Sequence, residues 1–384
     1  MMVFFIILLS FLLSHIFEKI KLPKVLAPIF VGFCFSFRKD LFSDYLYVIE
    51  LLSNLGIILL LFYIGLEIDI KGVKKQKKET LLIAFLAFFM SFFFGFVYSF
   101  YYLSYSLIVS FVIASTLSIT AEGIMTVLLE EKRLSKSKTG EVIIAAGMID
   151  DMMGILLLVI ISFIISINTF SFLAFQPILL GVIAILIAHI FFKNVVNFLG
   201  KIFMSHEKDN YYNVFTLALI FVLGLASFSN YIGLDFSVGA IVAGIMINIS
   251  LSRQGKKGIR DEYMINKFIK SISFGFLSYI FFFWIGYNMS IELILKNPLL
   301  GISLALIGFS SKMFASLLGS YIVHDKFKNG FLIGLGMSTK GAIEMIIAEV
   351  ARSSGLISND IFSAIVLMGI ILTVFPAIAF DRMC

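Results

Sequence analysis

At 384 residues, 60% of them hydrophobic and only 14% charged, the chain has too little polar surface to cover a water-soluble domain. Its 30 Lys and Arg against 24 Asp and Glu leave a formal charge of +6, which in a soluble protein would suggest a nucleic-acid partner. Its two cysteines, Cys34 inside an apolar run and Cys384 at the last position, exclude a disulfide framework and a thiolate metal site.

Apolar runs of roughly 20 residues, enough to cross a bilayer as a helix, recur along the whole length. Thirteen spans are predicted: 2–18, 23–37, 47–66, 80–101, 105–129, 140–164, 171–192, 211–229, 232–250, 271–289, 298–323, 329–350 and 359–380. A backbone in lipid must satisfy its own hydrogen bonds, and these runs are far longer than barrel strands, so the expected fold is an all-α membrane protein of about 13 transmembrane helices. The first run, MMVFFIILLSFLLSHIF, has neither a basic leading segment nor a small-residue cleavage site. It reads as a retained span, not a signal peptide. The stretches FKNVVNFLGKIFMSHEKDNY and SRQGKKGIRDEYMINKFIK read as polar connections. With no soluble domain, residues 1–384 form a single membrane domain.

Counting Lys24 at the very start of the second run with the connection before it, twenty-four of the basic residues fall in connections that follow odd-numbered spans and four in the alternate ones. By the positive-inside rule the N-terminus is expected outside and the C-terminus in the cytoplasm. The positive charge is therefore a topology signal, and no nucleic-acid partner is expected. The remaining two basic residues, Lys312 and Lys340, stand inside spans.

In chain order, the fifth span is the first to look broken. SLIVSFVIASTLSITAEGIMTVLLEE meets Ser115, Thr116, Ser118, Thr120, Glu122 and Gly123 at mid-depth. The sixth carries GMIDDMMGILLL, with Asp150 and Asp151 side by side among apolar neighbours. The eleventh holds Lys312. The twelfth, FLIGLGMSTKGAIEMIIAEV, is interrupted by Gly336, Ser338, Thr339, Lys340, Gly341 and Glu344. TAEGIMTVLLEE (120–131) overlays TKGAIEMIIAEV (339–350) in its leading Thr, early charge and Gly, and late acid. Paired interruptions in the two halves of a chain point to inverted repeats with a binding site near the midplane.

Each ionised side chain at mid-bilayer costs on the order of 3 kcal/mol, so these groups must face one another or water. Neighbours on a helix point roughly 100° apart, so Asp150 and Asp151 cannot address one partner and should differ in role. Three or four acids face two lysines, which leaves at least one carboxylate to be neutralised by a proton or by a hard cation. Ser118 and Thr120 are expected to add oxygen ligands. Lys340 and Glu344, an i,i+4 pair, are expected with Glu122 to neutralise the facing half-helix ends. His15, His189, His206 and His324 read as interfacial, and Asp235 as a loop residue.

AAGMIDDMMGILLL resembles the paired-aspartate helix of the monovalent cation:proton antiporter-2 family, and the chain is similar along nearly its whole length to the NapA-type bacterial sodium/proton antiporters of that family. LLLFYIGLEID (59–69), VGAIVAGIMI (238–247), FFFWIGYNMS (281–290) and GMSTKGAIEMIIAEV carry the rest of the likeness. The resemblance implies thirteen helices, with a core around two crossed, interrupted helices and a second region that forms a homodimer. The core is expected to include 80–164 and 298–380, and the dimerisation region to include 1–37 and 171–250. It implies that Asp151 binds the cation (Na+, with Li+ or K+ as alternatives) or the proton. It implies too that Asp150 pairs with Lys312 of GFSSKMFASLLGS, and that this lysine makes the exchange electrogenic. Glu122, and Lys340 in place of an arginine, depart from the family pattern. The expected function is antiport across the cytoplasmic membrane, with no enzymatic reaction and no cofactor. A potassium/proton antiporter and a sodium-coupled solute symporter of related fold are the alternatives. A channel would need a filter loop, which the sequence lacks, and an aspartyl protease would need its two aspartates on different helices.

Overall fold

The computed structural model describes residues 2–19, 23–37, 45–67, 78–120, 125, 129, 132–134, 137–169, 211–231, 235–252 and 255–383. Among them are fifteen α-helices and no strand: α1 (Met2–Lys19), α2 (Leu26–Ser36), α3 (Leu46–Glu67), α4 (Lys78–Val97), α5 (Leu107–Ser118), α6 (Lys138–Thr169), α7 (Tyr211–Tyr231), α8 (Phe236–Ser252), α9 (Gly255–Ile272), α10 (Ser278–Asn288), α11 (Ile291–Lys296), α12 (Pro298–Ile322), α13 (Phe327–Met337), α14 (Ala342–Ser353) and α15 (Asn359–Met383). Turns of π-helix continue α4 through Tyr98–Tyr102 and join α9 to α10 through Ser273–Leu277.

Seven of the helical runs are long and apolar enough to cross a membrane, and α13 with α14 makes a further span bent by 42°. Four shorter apolar helices occupy the other predicted positions, so helices stand at twelve of the thirteen expected spans. The expected span at 171–192 lies outside the described residues. Large apolar side chains such as Phe4, Phe89, Phe93 and Leu306 are exposed, as suits helices whose outer faces meet lipid, not water.

The described chain divides into two compact units. One comprises Met1–Ser43, Asp69–Leu157 and Phe282–Cys384. Here α12 packs against α4, α13 and α15, and α14 against α5 and α15. Ile83, Ala87, Ile143, Met313, Ile333 and Phe380 belong to its buried core. Within the same unit α2 meets the chain from Phe282 onward at backbone distance. A Cβ on Gly32 would stand 2.0 Å from the carbonyl oxygen of Phe283, and one on Gly286 2.0 Å from that of Ile29.

The other unit comprises Asp44–Ile68 and Leu158–Phe281. In it α8 packs on α3 and α7. The sequence read 252–270 as a polar connection, but α9 occupies most of it. Ile265 and Ile269 are buried while Lys267 and Lys270 are exposed, so the run is an amphipathic helix whose charge content hid its 3.6-residue period. Asp235, expected in a loop, accepts a hydrogen bond from the backbone N–H of Ser237 at 2.9 Å and so caps the start of α8.

Both stretches predicted as interruptions belong to the first unit, and residues 121–124 of the earlier one lie outside the described residues. α5 begins at Ser106, whose side chain accepts from the Val109 N–H, and ends at Ser118, after which Ile119 is extended. The second break falls at 338–341, between α13 and α14. A helix stopped inside a membrane leaves carbonyls without partners at one end and N–H groups at the other. Satisfying these groups dictates much of the site.

Candidate functional site

α6 is brought against both breaks by Gly154, one turn beyond Asp150. A Cβ there would lie 3.1 Å from the side chain of Ile119 and 3.2 Å from that of Ile343. α12 approaches through Gly308, which faces Leu117, while Gly334 of α13 receives Met313. These contacts carry Asp150 and Lys312 to the same point.

The Lys312 ammonium donates to Asp150 Oδ2 at 2.6 Å and to Thr120 Oγ1 at 2.9 Å. Both charged side chains have zero solvent exposure. Thr120 Oγ1 also lies 2.5 Å from Asp150 Oδ2 and 2.7 Å from the carbonyl oxygen of Met337, the last residue of α13. A hydroxyl has one proton, so it serves one of these two acceptors at a time while accepting from the lysine. Asp150 Oδ1 is buried and has no hydrogen-bond partner among the described residues. The pair is therefore strongly held on one oxygen and open on the other.

The second lysine addresses a helix end. Lys340 Nζ donates to the carbonyls of Thr116 at 3.0 Å, Leu117 at 2.8 Å and Ile119, at the C-terminal end of α5. Its three protons meet three acceptors, and its charge complements the negative end of the helix dipole. Thr373 of α15 donates to the carbonyl of Lys340 at 2.9 Å and holds that segment in turn. Glu344, in the first turn of α14, accepts the backbone N–H of Gly341 on one carboxylate oxygen. Its other oxygen, Oε2, is buried with no hydrogen-bond partner among the described residues. The sequence expects Lys340 and Glu344 at half-helix ends, and each hydrogen-bonds to backbone at a helix terminus, not to the other member of the i,i+4 pair. Unpaired peptide groups in a buried break are costly enough to claim both charges.

Of the other predicted site residues, Asp151 lies beside Asp150 on α6 and keeps some of its surface exposed. Ser118 is buried, and its hydroxyl turns back to donate to the Ser115 carbonyl at 2.9 Å. It thus stands apart from the group formed by Thr120, Asp150 and Lys312. Glu122 lies outside the described residues. The Met337 carbonyl and Thr373 were not anticipated, since nothing in the sequence says which carbonyl a break will present. Among the described residues the fully buried charges are two of each sign, Asp150 and Glu344 with Lys312 and Lys340. That set is formally neutral. Carboxylate, hydroxyl and carbonyl oxygens are the donors suited to a hard monovalent cation, and the carboxylate alone suits a proton.

Residues 3–381 match the sequence model of a family described as sodium/hydrogen exchanger, transmembrane. A Na+/H+ antiporter of Enterococcus hirae is 24% identical over 362 residues, covering 94% of this chain and 91% of that protein. The K+/H+ antiporter 1 of Saccharomyces cerevisiae is 27% identical over 401 residues, covering 96% of this chain but 44% of that longer protein. Among solved structures, the sodium proton antiporter MjNhaP1 from Methanocaldococcus jannaschii superposes with a TM-score of 0.72 at 15% identity, covering 99% of this chain and 98% of that one. This last likeness is one of fold.

Proposed function

The chain is a member of the sodium/hydrogen exchanger family, and from that membership we propose that it is a secondary antiporter exchanging a monovalent cation for protons across the cytoplasmic membrane. Asp151 is the carrier. It holds either Na+ or a proton, and the loaded, neutral state is the one that changes its exposure from one side of the membrane to the other. The observation that carries this reading is where Asp151 stands: it follows Asp150 on α6, next to the buried group that Asp150 forms with Thr120 and Lys312, and unlike Asp150 it is only partly buried. A carboxylate in the bilayer that keeps some exposure can take up and release a small cation or a proton, and its ionised form is costly there.

Thr120, bonded to Asp150 and Lys312, adds a neutral oxygen, with Ser118 near the same break. Asp150 alternates between Lys312 and a proton or ion contact, so that more than one proton moves per cation and the exchange is electrogenic. The breaks at α5 and between α13 and α14 are the crossed, interrupted helices of an inverted repeat within thirteen helices. The core includes 80–164 and 298–380, and a region that includes 1–37 and 171–250 forms a homodimer. The distribution of Lys and Arg supports an external N-terminus and a cytoplasmic C-terminus. Potassium in place of sodium is the second reading, favoured by the potassium antiporter among the relatives.

Everted vesicles carrying Asp151→Asn should lose cation-evoked proton movement, and retained exchange would remove Asp151 from the role. Proteoliposomes with an imposed pH gradient, challenged in turn with Na+, Li+ and K+, should respond most to Na+. Dissipation by K+ alone would replace the first reading with the second. Turnover on a supported membrane should produce a current. Exchange without current would make it electroneutral.

A further inference from the structure

The far end of α14, away from the break, carries a second buried charge that the exchange site does not use. Glu349 is 3% exposed. Its Oε1 accepts the indole N–H of Trp284 at 2.9 Å and the guanidinium of Arg352 at 2.6 Å, and its Oε2 accepts Arg352 Nε at 2.8 Å. The Arg352 guanidinium lies over the ring of Phe362 at 5.3 Å, on α15. The carboxylate is thus neutralised from within its own helix by an i,i+3 arginine, and the indole supplies the one hydrogen bond reaching it from another element among the described residues.

The two sides of that hydrogen bond are built differently. Trp284 is flanked by Phe283 and Gly286, whose backbones meet α2 so closely that no Cβ fits at Gly32 or Gly286. That contact has no freedom to slide. Glu349 sits on α14, whose other end begins at the break and carries Glu344. If α14 shifts, Arg352 travels with Glu349 and keeps it neutral, so the indole contact can separate without baring a charge. What is then lost is one charge-assisted hydrogen bond from a buried donor.

We propose that Trp284 and Glu349 form a positioning latch, with Arg352 as its counter-ion. It holds the far end of α14 in the conformation described here and opens during each transport cycle. It sets the rate of the conformational step without touching the ion. This inference rests on the antiport reading above.

Trp284 is the only tryptophan in the chain, so its emission reports the latch in the full-length protein without further engineering. In proteoliposomes holding the native chain, saturating NaCl should shift that emission, and Asp151→Asn should abolish the shift. Trp284→Phe, which keeps a ring and removes the N–H, should change maximal turnover about tenfold while leaving the KM for Na+ within about twofold. A native chain that exchanges cations for protons but shows constant Trp284 emission would overturn the latch and leave the antiport reading standing. So would a Trp284→Phe variant with native turnover, or one whose KM moves as far as its turnover. A native chain with no cation-evoked proton flux would remove the antiport reading and the latch together. Should Trp284→Phe fail to fold, the emission response of the native chain decides alone.

Discussion

Two helix contacts, one in each unit of the molecule, are made by opposite means. Between α3 and α8 the contact is made mainly of backbone. A Cβ on Gly65 would stand 2.5 Å from the carbonyl oxygen of Ile241, and one on Gly244 2.3 Å from that of Phe62. Around the breaks, in the other unit, the contact is made of charge. Two lysines and two carboxylates, all with zero exposure, join α5, α6, α12 and α14 through hydroxyls and carbonyls. Small-residue packing derives from shape and has one good solution. A charged cluster that, among the described residues, keeps a buried carboxylate oxygen unused on both Asp150 and Glu344 has more than one. The comparison separates a contact built to stay as it is from one whose bonds are open to rearrangement.

Substitutions test that contrast. The largest effect is expected for Lys312→Met, which leaves Asp150 charged and unpaired in the interior, a loss of about 3–5 kcal/mol. Adding Asp150→Asn should recover most of it, so thermal unfolding in detergent should rank the double variant above Lys312→Met. A double variant no better than the single one would mean that the pair is not the dominant contact. Gly244→Val at the contact of α3 with α8 should cost about 3 kcal/mol, with a falling yield of monodisperse protein on size exclusion, and no second substitution at a charged residue should restore it. Thr120→Val removes the hydroxyl shared by Lys312, Asp150 and Met337 and should cost about 2 kcal/mol in the same unfolding assay, with Thr120→Ser close to native. The smallest effect is expected at Gly224 of α7, where an added Cβ meets nothing within 4 Å among the described residues. Gly224→Ala should stabilise by about 0.5–1 kcal/mol through helix propensity alone, and a fall in melting temperature would reveal a neighbour at that face.

How much of this was legible in advance depended on the range of the physics involved. Helical spans were legible because the bilayer imposes a length on every apolar run, and helices stand at twelve of the predicted positions. α9 was missed because its charges lowered the average while its period remained readable at Ile265 and Ile269. The membrane-embedded charges were conspicuous by their expense, and the resemblance singled out Asp150 with Lys312. What the sequence does not contain is the identity of distant neutral partners. Lys340 points at carbonyls of residues 116, 117 and 119, and a carbonyl has no letter of its own. Trp284 and Glu349 are 65 positions apart, and neither carries a local signal that it needs the other.

The hydroxyl of Thr120 ties the end of one helix to a side chain on another. It has a single proton for two acceptors, Asp150 Oδ2 at 2.5 Å and the carbonyl oxygen of Met337 at 2.7 Å, so losing the carboxylate leaves that proton to the terminus of α13. A rotation about one C–O bond is enough, and no backbone has to move. In Asp150→Leu the amide stretch of Met337, isotope-labelled at its carbonyl carbon, should drop in frequency, and it should stay put when Thr120→Val is added.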